Sequence, residues 1–404
     1  MKNIIALKEA WIFLPVMPFF VVVFQNAPNI PIMDDYDAIL SFLSKWKLSG
    51  WEQRLTLLFA QYNEHRLLYS RLVYVVYYSL FGNVNFRNLI FIADLQLVFI
   101  ASIAVHFIRK CMQKHWQIIS FLSVLCIFDF NTYENGSIAM YGMQNYGVIF
   151  LFFLSLYFYS RGGKWIIGAT IMQVLCIFSS GNGMIGALFI ALCMAMSGSK
   201  WARWISISVT VFCIPLYFIS YELVSQPNKL PFDILTVAVY FIRMCGAHFS
   251  FDWSFFFGIA LLIILFLVFP YDKIRTNKEL WPVICILGFL LLSMGTAAFF
   301  RACLSGAQFQ TSRYLIYPQL LIVVVVLFAA LKFEGTKFQP PIIMGSLLIL
   351  LLSYSHNYEF GKQGFEHTAA RARMRLYWHP ERKKAALIAK AACENGIYCL
   401  DPER

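Results

Sequence analysis

The amino-acid sequence predicts an all-α polytopic transmembrane bundle of about eleven crossings, within a range of about ten to thirteen. Three observations carry this. Of the 404 residues, 60% are hydrophobic and 13% charged, whereas a soluble domain carries about 45–50% apolar and about 25% charged residues. Mean hydropathy is +0.65. Apolar runs long enough to span a bilayer recur along the chain, separated by short basic loops. A water-soluble domain is excluded, and an aromatic content of 18% excludes disorder.

The elements follow in order. Trp11 to Gln25 follows Lys2 and Lys8 as a signal peptide would. No small-residue cleavage site comes after it, so an uncleaved first helix is expected. Residues 27–66 then form the first external loop. Further spans are expected near 86–108, 116–130, 143–160, 165–180, 183–198, 203–221, 252–270, 281–300, 313–331 and 339–355. The chain divides accordingly into a transmembrane unit, 1–355, and a short external tail, 356–404.

Short basic loops set the orientation. Arg109, Lys110 and Lys114 form one cluster, and Arg161 and Lys164 another. Lys200 with Arg203, Lys273 with Arg275 and Lys278, and Lys332 with Lys337 complete the series. The positive-inside rule puts them all in the cytoplasm with the N-terminus. That requires 67–81, which contains Arg71, and 234–250, with Arg243 and His248, to lie in or on the outer leaflet rather than cross. In the tail, Arg371, Arg373, Arg375, Arg382, Lys383 and Lys384 begin more than about 15 residues beyond the last span, where the rule loses force. Cys393 and Cys399 are expected either as a disulfide or as two free thiols; most of the ten cysteines lie in apolar runs as packing residues.

This layout limits the chemistry. Cytoplasmic loops of about ten residues cannot build a nucleotide-binding domain, and neither GxGxxG nor GxxxxGK[ST] occurs. The net charge of +12 is spread over those loops and the tail, which fits anionic headgroups of a bilayer and not nucleic acid. Unusual polar sequence gathers on the outer side. Asp34, Asp35 and Asp37, in MDDYD, place three carboxylates within four residues. Close like charges raise at least one pKa, which suits a proton acceptor. Asp34 and Asp35 are also candidate ligands for Mg2+ or Mn2+. The run Gln61-Tyr62-Asn63-Glu64-His65-Arg66 would set Gln61, Glu64 and His65 on one face of a helix. Arg301 and Arg313, followed by Tyr314, bracket a Gly/Ser/Gln/Thr segment. They are either headgroup anchors or a phosphate clamp, since guanidinium forks match phosphate oxygens. Glu134, Asn135 and Gln144 add polar positions, Asn135-Gly136-Ser137 is a lone glycosylation sequon, and Ser180 to Gly183 reads as a tight turn. Asp94, mid-span, is either a functional partner or a satisfied packing residue.

Taken in order, Asp34-Asp35 after the first helix, NEHR at 63–66, Glu134-Asn135 with Gln144, and SRY at 312–314 preceded by Arg301 resemble the GT-C superfamily. These are multi-pass glycosyltransferases using polyprenyl-phosphate sugars, and the likeness is to bacterial members that decorate cell-surface polysaccharide. In layout it covers nearly the whole chain, in motif about thirty residues. The large C-terminal soluble domain of oligosaccharyltransferases and the signatures of protein mannosyltransferases are missing.

The resemblance implies a bacterial inner-membrane enzyme with its active face outside. It would move a hexosyl or pentosyl group from a polyprenyl-phosphate donor to a glycan or lipid acceptor, with inversion. Asp34 or Asp35 would be the base, and Arg66, Arg301 and Arg313 would hold the donor phosphate. Asp37, Gln61, Asn63, Glu64, His65, Glu134, Asn135, Gln144 and Tyr314 would position substrate. Two other functions compete. A polymerase or ligase of polyprenyl-pyrophosphate glycans normally carries its arginines in one large later loop, yet the longest internal loop here is the first. A lipid-linked-sugar transporter calls for charges lining a path and internal repeats.

Overall fold

Backbone groups in a bilayer must satisfy one another, so a chain of this composition resolves into helices. The computed structural model describes residues 9–400 except 224–231, 275, 303–310 and 376. Lys2, Lys8, Arg275 and the 303–310 part of the Arg301–Arg313 segment lie outside the described residues. The helices are α1 (Val16–Asn26), α2 (Phe42–Leu48), α3 (Trp51–Phe59), α4 (Leu68–Phe81), α5 (Phe86–Cys111), α6 (Trp116–Ile127), α7 (Ala139–Arg161) and α8 (Trp165–Ile177). They continue as α9 (Gly181–Ser197), α10 (Lys200–Tyr217), α11 (Ile234–Gly246), α12 (Ser254–Val268), α13 (Trp281–Arg301), α14 (Ile316–Lys332), α15 (Gln339–Met374) and α16 (Arg382–Glu394). Among the described residues four stretches are by themselves long and apolar enough to cross a membrane: Phe86–Cys111, Ala139–Arg161, Lys278–Arg301 and Ser312–Lys332. The shorter apolar helices pack around them.

The chemistry of the loops separates the bundle into two ends. At one end the basic loops meet each other and their counter-ions: Arg109 pairs with Glu9 at 3.6 Å, Lys110 with Glu279 at 3.6 Å and Lys273 with Glu334 at 3.2 Å. The Gln113 N–H also donates to Glu334, joining the α5–α6 loop to the segment after α14. At the other end Asn29 accepts the Phe86 N–H at 2.8 Å and, through its carbonyl, the Tyr398 hydroxyl. There too the Asn135 amide donates to the Arg313 carbonyl.

Helix α4 begins with the Leu68 N–H on the Phe178 carbonyl and ends with Tyr77 accepting from Asn88. Both of its ends therefore belong to this second end. Helix α11 behaves similarly: Phe232, just before it, meets the Phe299 ring near Arg301, and the carbonyl of His248, just after it, accepts from Asn131. The remaining apolar helices run between the two ends, as the sequence predicts.

Polar side chains inside the bundle are tied across helices. Tyr159 on α7 donates to Gln173 on α8 at 2.8 Å, and Gln173 donates to Thr210 on α10 at 2.9 Å. Interhelical hydrogen bonds of this kind serve as glue where water is absent. Phe152 on α7 stacks on Phe289 of α13 with centroids 4.4 Å apart.

Two local expectations change. Gln61 to Arg66 is not helical but an antiparallel hairpin, β1 (Gln61–Tyr62) with β2 (His65–Arg66). Asn63 turns it with φ of +49°, a left-handed conformation in which Asn is several-fold enriched. The last span does not stop near 355: α15 continues to Met374, so the expected boundary falls inside a helix. Its extension lies against the loop after α6 through Gly361 and Gly364. A Cβ on Gly361 would meet the Phe130 carbonyl oxygen at 2.2 Å, and one on Gly364 the Tyr133 ring at 2.5 Å. Beyond α15, α16 packs on the helical turn Tyr36–Ser41, and Cys393 and Cys399 form a disulfide.

Candidate active site

The acidic loop is bent by Met33, whose φ of +51° is left-handed and whose N–H donates to the Trp378 carbonyl at 2.8 Å. The bend sends the three carboxylates to three different places. Asp35 turns inward and is buried. One of its oxygens accepts the Ile32 N–H at 3.0 Å and the other the Met140 N–H at 2.8 Å. It thus caps the first turn of α7 from 105 residues away, satisfying a donor that the helix cannot. Asp37 turns toward the tail, 3.2 Å from His379 and 3.0 Å from Lys384. Asp34 is half-buried and lies within electrostatic reach of Tyr62, Tyr141 and Arg313. Two of the three carboxylates have other partners, and no group of three or more His, Cys, Asp or Glu suited to a metal occurs among the described residues.

Burial pushes the Asp35 carboxyl up to about 7, against the lowering effect of its two backbone donors. A carboxyl that titrates higher folded than unfolded holds its proton preferentially in the folded state. Its stabilising contribution is fully present below the ordinary carboxylate range and is lost as pH rises through about 7. The thermal midpoint in detergent should therefore fall as pH rises from about 4 to about 7. Asp35→Asn should flatten that slope, and an unchanged slope in the variant would assign it to another group.

The arginines also diverge. Arg66 is buried, and its three guanidinium nitrogens donate to the carbonyls of Tyr217, Phe59 and Ile219. It joins the hairpin to the end of α10, with three of its five N–H donors on backbone carbonyls.

Arg313 is placed differently. Its main chain is held by Glu134, which accepts the Arg313 N–H at 3.2 Å, and by Asn135, which donates to the Arg313 carbonyl at 3.0 Å. Ser312 adds a bond to the Asn131 carbonyl at 2.6 Å. The guanidinium lies over Tyr141 at 4.9 Å and Tyr314 at 5.3 Å, and Arg301 sits over Tyr314 at 4.7 Å. Two cations thus share one tyrosine. The buried Arg313 Nε has no hydrogen-bond partner among the described residues.

His65 completes this side. Its Nδ1 accepts the Gly181 N–H at 3.3 Å and lies 3.4 Å from the Ser180 hydroxyl. Because Nδ1 accepts a backbone proton, Nε2 carries the ring hydrogen. Burial lowers the His65 pKa to about 4, with Glu64 raising it and Arg301 and Arg313 lowering it. The imidazole is neutral at ordinary pH.

The remaining candidates make contacts within the fold. Gln61 exchanges two hydrogen bonds with the Glu222 backbone, donating at 2.7 Å and accepting at 2.9 Å. Asn63 forms the turn, and the Glu64 carbonyl accepts from Tyr221 at 3.1 Å. Asn135 also accepts from Asn145 at 3.0 Å. Gln144 is buried on α7, one turn after Tyr141.

Tyr62, beside Asp34, and Tyr141, within reach of both Asp34 and Arg313, are absent from the sequence candidates, and so is the Ser180-Gly181 seat of His65. In a chain with 40 Phe and 21 Tyr, a functional ring has no compositional signal. No family model and no curated protein matches the chain. Among solved structures it is similar to ArnT from Cupriavidus metallidurans in the apo state, at 12% identity, covering 96% of this chain and 76% of that one with a TM-score of 0.48. That likeness is too distant to assign chemistry.

Proposed function

We propose that the protein is an inverting membrane glycosyltransferase, moving a sugar from a polyprenyl-phosphate donor to a glycan or lipid acceptor at the end of the bundle away from the basic loops. The observation that carries this is that Asp34 and Arg313 lie within electrostatic reach of each other and of Tyr141, while Arg313 shares the Tyr314 ring with Arg301, which offers a proton acceptor and a cation pair close together. The segregation of basic loops to the opposite end supports an outward-facing site by the positive-inside rule.

In this reading Asp34 takes the proton of the acceptor hydroxyl as its oxygen attacks the anomeric carbon. The bond from that carbon to the phosphate oxygen breaks, and the phosphate leaves with the electron pair. Its growing charge is met by Arg313 and Arg301, whose donors are positioned before reaction. His65, neutral and donating from Nε2, would bind a phosphate oxygen without adding net charge. Asp35, Glu134 and Asn135 hold the base and the clamp in place.

The test is transfer in detergent from a panel of polyprenyl-phosphate hexoses and pentoses to isolated surface glycan. Turnover with at least one donor is expected. Failure with all of them, against turnover of a polyprenyl-pyrophosphate glycan, would move the reading to a polymerase.

A further inference from the structure

A second cavity of about 340 Å³ lies beside this site, walled by Tyr133, Glu134, Tyr141, His367, Arg371 and Trp378. It is at the small end of the range for small-molecule sites, about 300–1,000 Å³. Tyr141 is common to both: one part of its surroundings is the Arg313 guanidinium, the other is this cavity. Met33, which precedes Asp34, also lines it. A molecule held here would lie against Met33 and Tyr141, the neighbours of Asp34 in sequence and in electrostatic reach.

The walls have a definite chemistry. Tyr133, Tyr141 and Trp378 supply flat apolar faces with polar edges, which suit the alternating C–H and O–H faces of a sugar ring. His367 and Arg371 stand four residues apart on α15, so they project from one face of that helix. Glu134 also lines the cavity, with one of its oxygens accepting the Arg313 N–H and its charge facing that of Arg313. Arg371 is exposed, its side chain makes no hydrogen bond or ion pair among the described residues, and its charge is felt at Tyr133. The cavity thus combines ring-stacking surfaces with an unpaired guanidinium. Gly364 allows the Tyr133 ring to lie against α15, and the tail closes the wall through the Met33 bond to Trp378.

We infer that this cavity is the acceptor subsite and takes a carboxylated or phosphorylated sugar residue. The acceptor role rests on the glycosyltransferase reading; the preference for an anionic sugar does not. The experiment measures equilibrium binding to the full-length protein in detergent, without donor. The probes are a glucuronate-containing tetrasaccharide, its carboxyl-reduced counterpart, and vesicles bearing a glycolipid with a phosphorylated sugar headgroup. The acidic tetrasaccharide should bind at least about tenfold more tightly than the reduced one, a difference of about 1.4 kcal/mol. Arg371→Ala should abolish that preference, and Arg371→Lys should keep part of it. Gly364→Ala, which pushes on the Tyr133 ring, should weaken both saccharides alike.

A stronger Arg371-dependent response to the vesicles than to the soluble saccharide would assign the anion to a lipid headgroup. Equal binding of acidic and reduced saccharide together with no Arg371-dependent vesicle binding overturns the inference, as does a preference that Arg371→Ala leaves intact. Anion-selective binding with no donor ever turned over would leave the subsite standing and remove the transfer reading. Turnover without any Arg371-dependent charge preference would do the reverse.

Discussion

Asp34→Asn should lower the transfer rate by about 10²–10⁴-fold, the usual contribution of a positioned general base, while the protein remains folded with a thermal midpoint close to that of the parent. Asp35→Asn should behave in the opposite sense. The argument is geometric. A base must reach the acceptor hydroxyl, and both oxygens of Asp35 are already within 3.0 Å of backbone N–H donors inside the fold. An Asn there keeps one acceptor oxygen and turns its other position into a donor facing a donor, so one of the two backbone bonds is lost and stability suffers. Asp34 is only half-buried and has no such duty.

The pH near 7 at which Asp35 titrates would suit a general base by value alone, so the comparison is decisive. If Asp35→Asn abolishes transfer while its thermal midpoint is unchanged, and Asp34→Asn remains active, the base is Asp35 and the inward carboxylate must move to react. The measurement is initial rate at saturating donor and acceptor, with the thermal midpoint recorded on the same preparations.

How far the sequence reveals this site depends on which physical property marks each residue. Carboxylates and arginines are scarce in a chain that is 13% charged, so Asp34, Glu134, Arg301 and Arg313 stand out against the apolar background. The alternation of basic loops with apolar spans is equally legible, and it separates the two ends of the bundle. What each polar group touches is not legible. Arg66 and Arg313 look alike as outward arginines and both lie over tyrosine rings, but Arg66 also finds three backbone carbonyls across the fold whereas the Arg313 Nε has no partner among the described residues. The Gln61–Arg66 run satisfies a helical spacing as well as a hairpin, and the choice falls to one left-handed Asn63. The end of the last span is hidden for a related reason: after residue 355 hydropathy drops, but no proline interrupts the helix, and two glycines bring it against the site loop.

Arg313→Ala should reduce the transfer rate at saturating donor by about 10²–10³-fold, the scale of removing one preorganised donor to developing charge. Arg313→Lys should recover part of this, because a point charge remains but the planar fork does not. The magnitude follows from how firmly this guanidinium is aimed. Its backbone is bonded at both N–H and carbonyl, its plane is held by Tyr141 and Tyr314, and its Nε has no partner among the described residues. An interfacial arginine reaching for lipid needs none of these constraints and would be indifferent to truncation.

The leaving phosphate gains charge as the glycosidic bond lengthens, so an arginine that acts on it should change kcat more than the KM for donor. Loss confined to KM would make Arg313 a binding anchor only, and a rate within about threefold of the parent at saturating donor would remove it from the chemistry. Glu134→Gln offers a check on the geometry. It preserves an oxygen acceptor for the Arg313 N–H but removes the nearby negative charge, so the loop should hold and the rate should change far less than in Arg313→Ala. A loss as large as that of Arg313→Ala would instead identify the Glu134 carboxylate as a participant in the reaction.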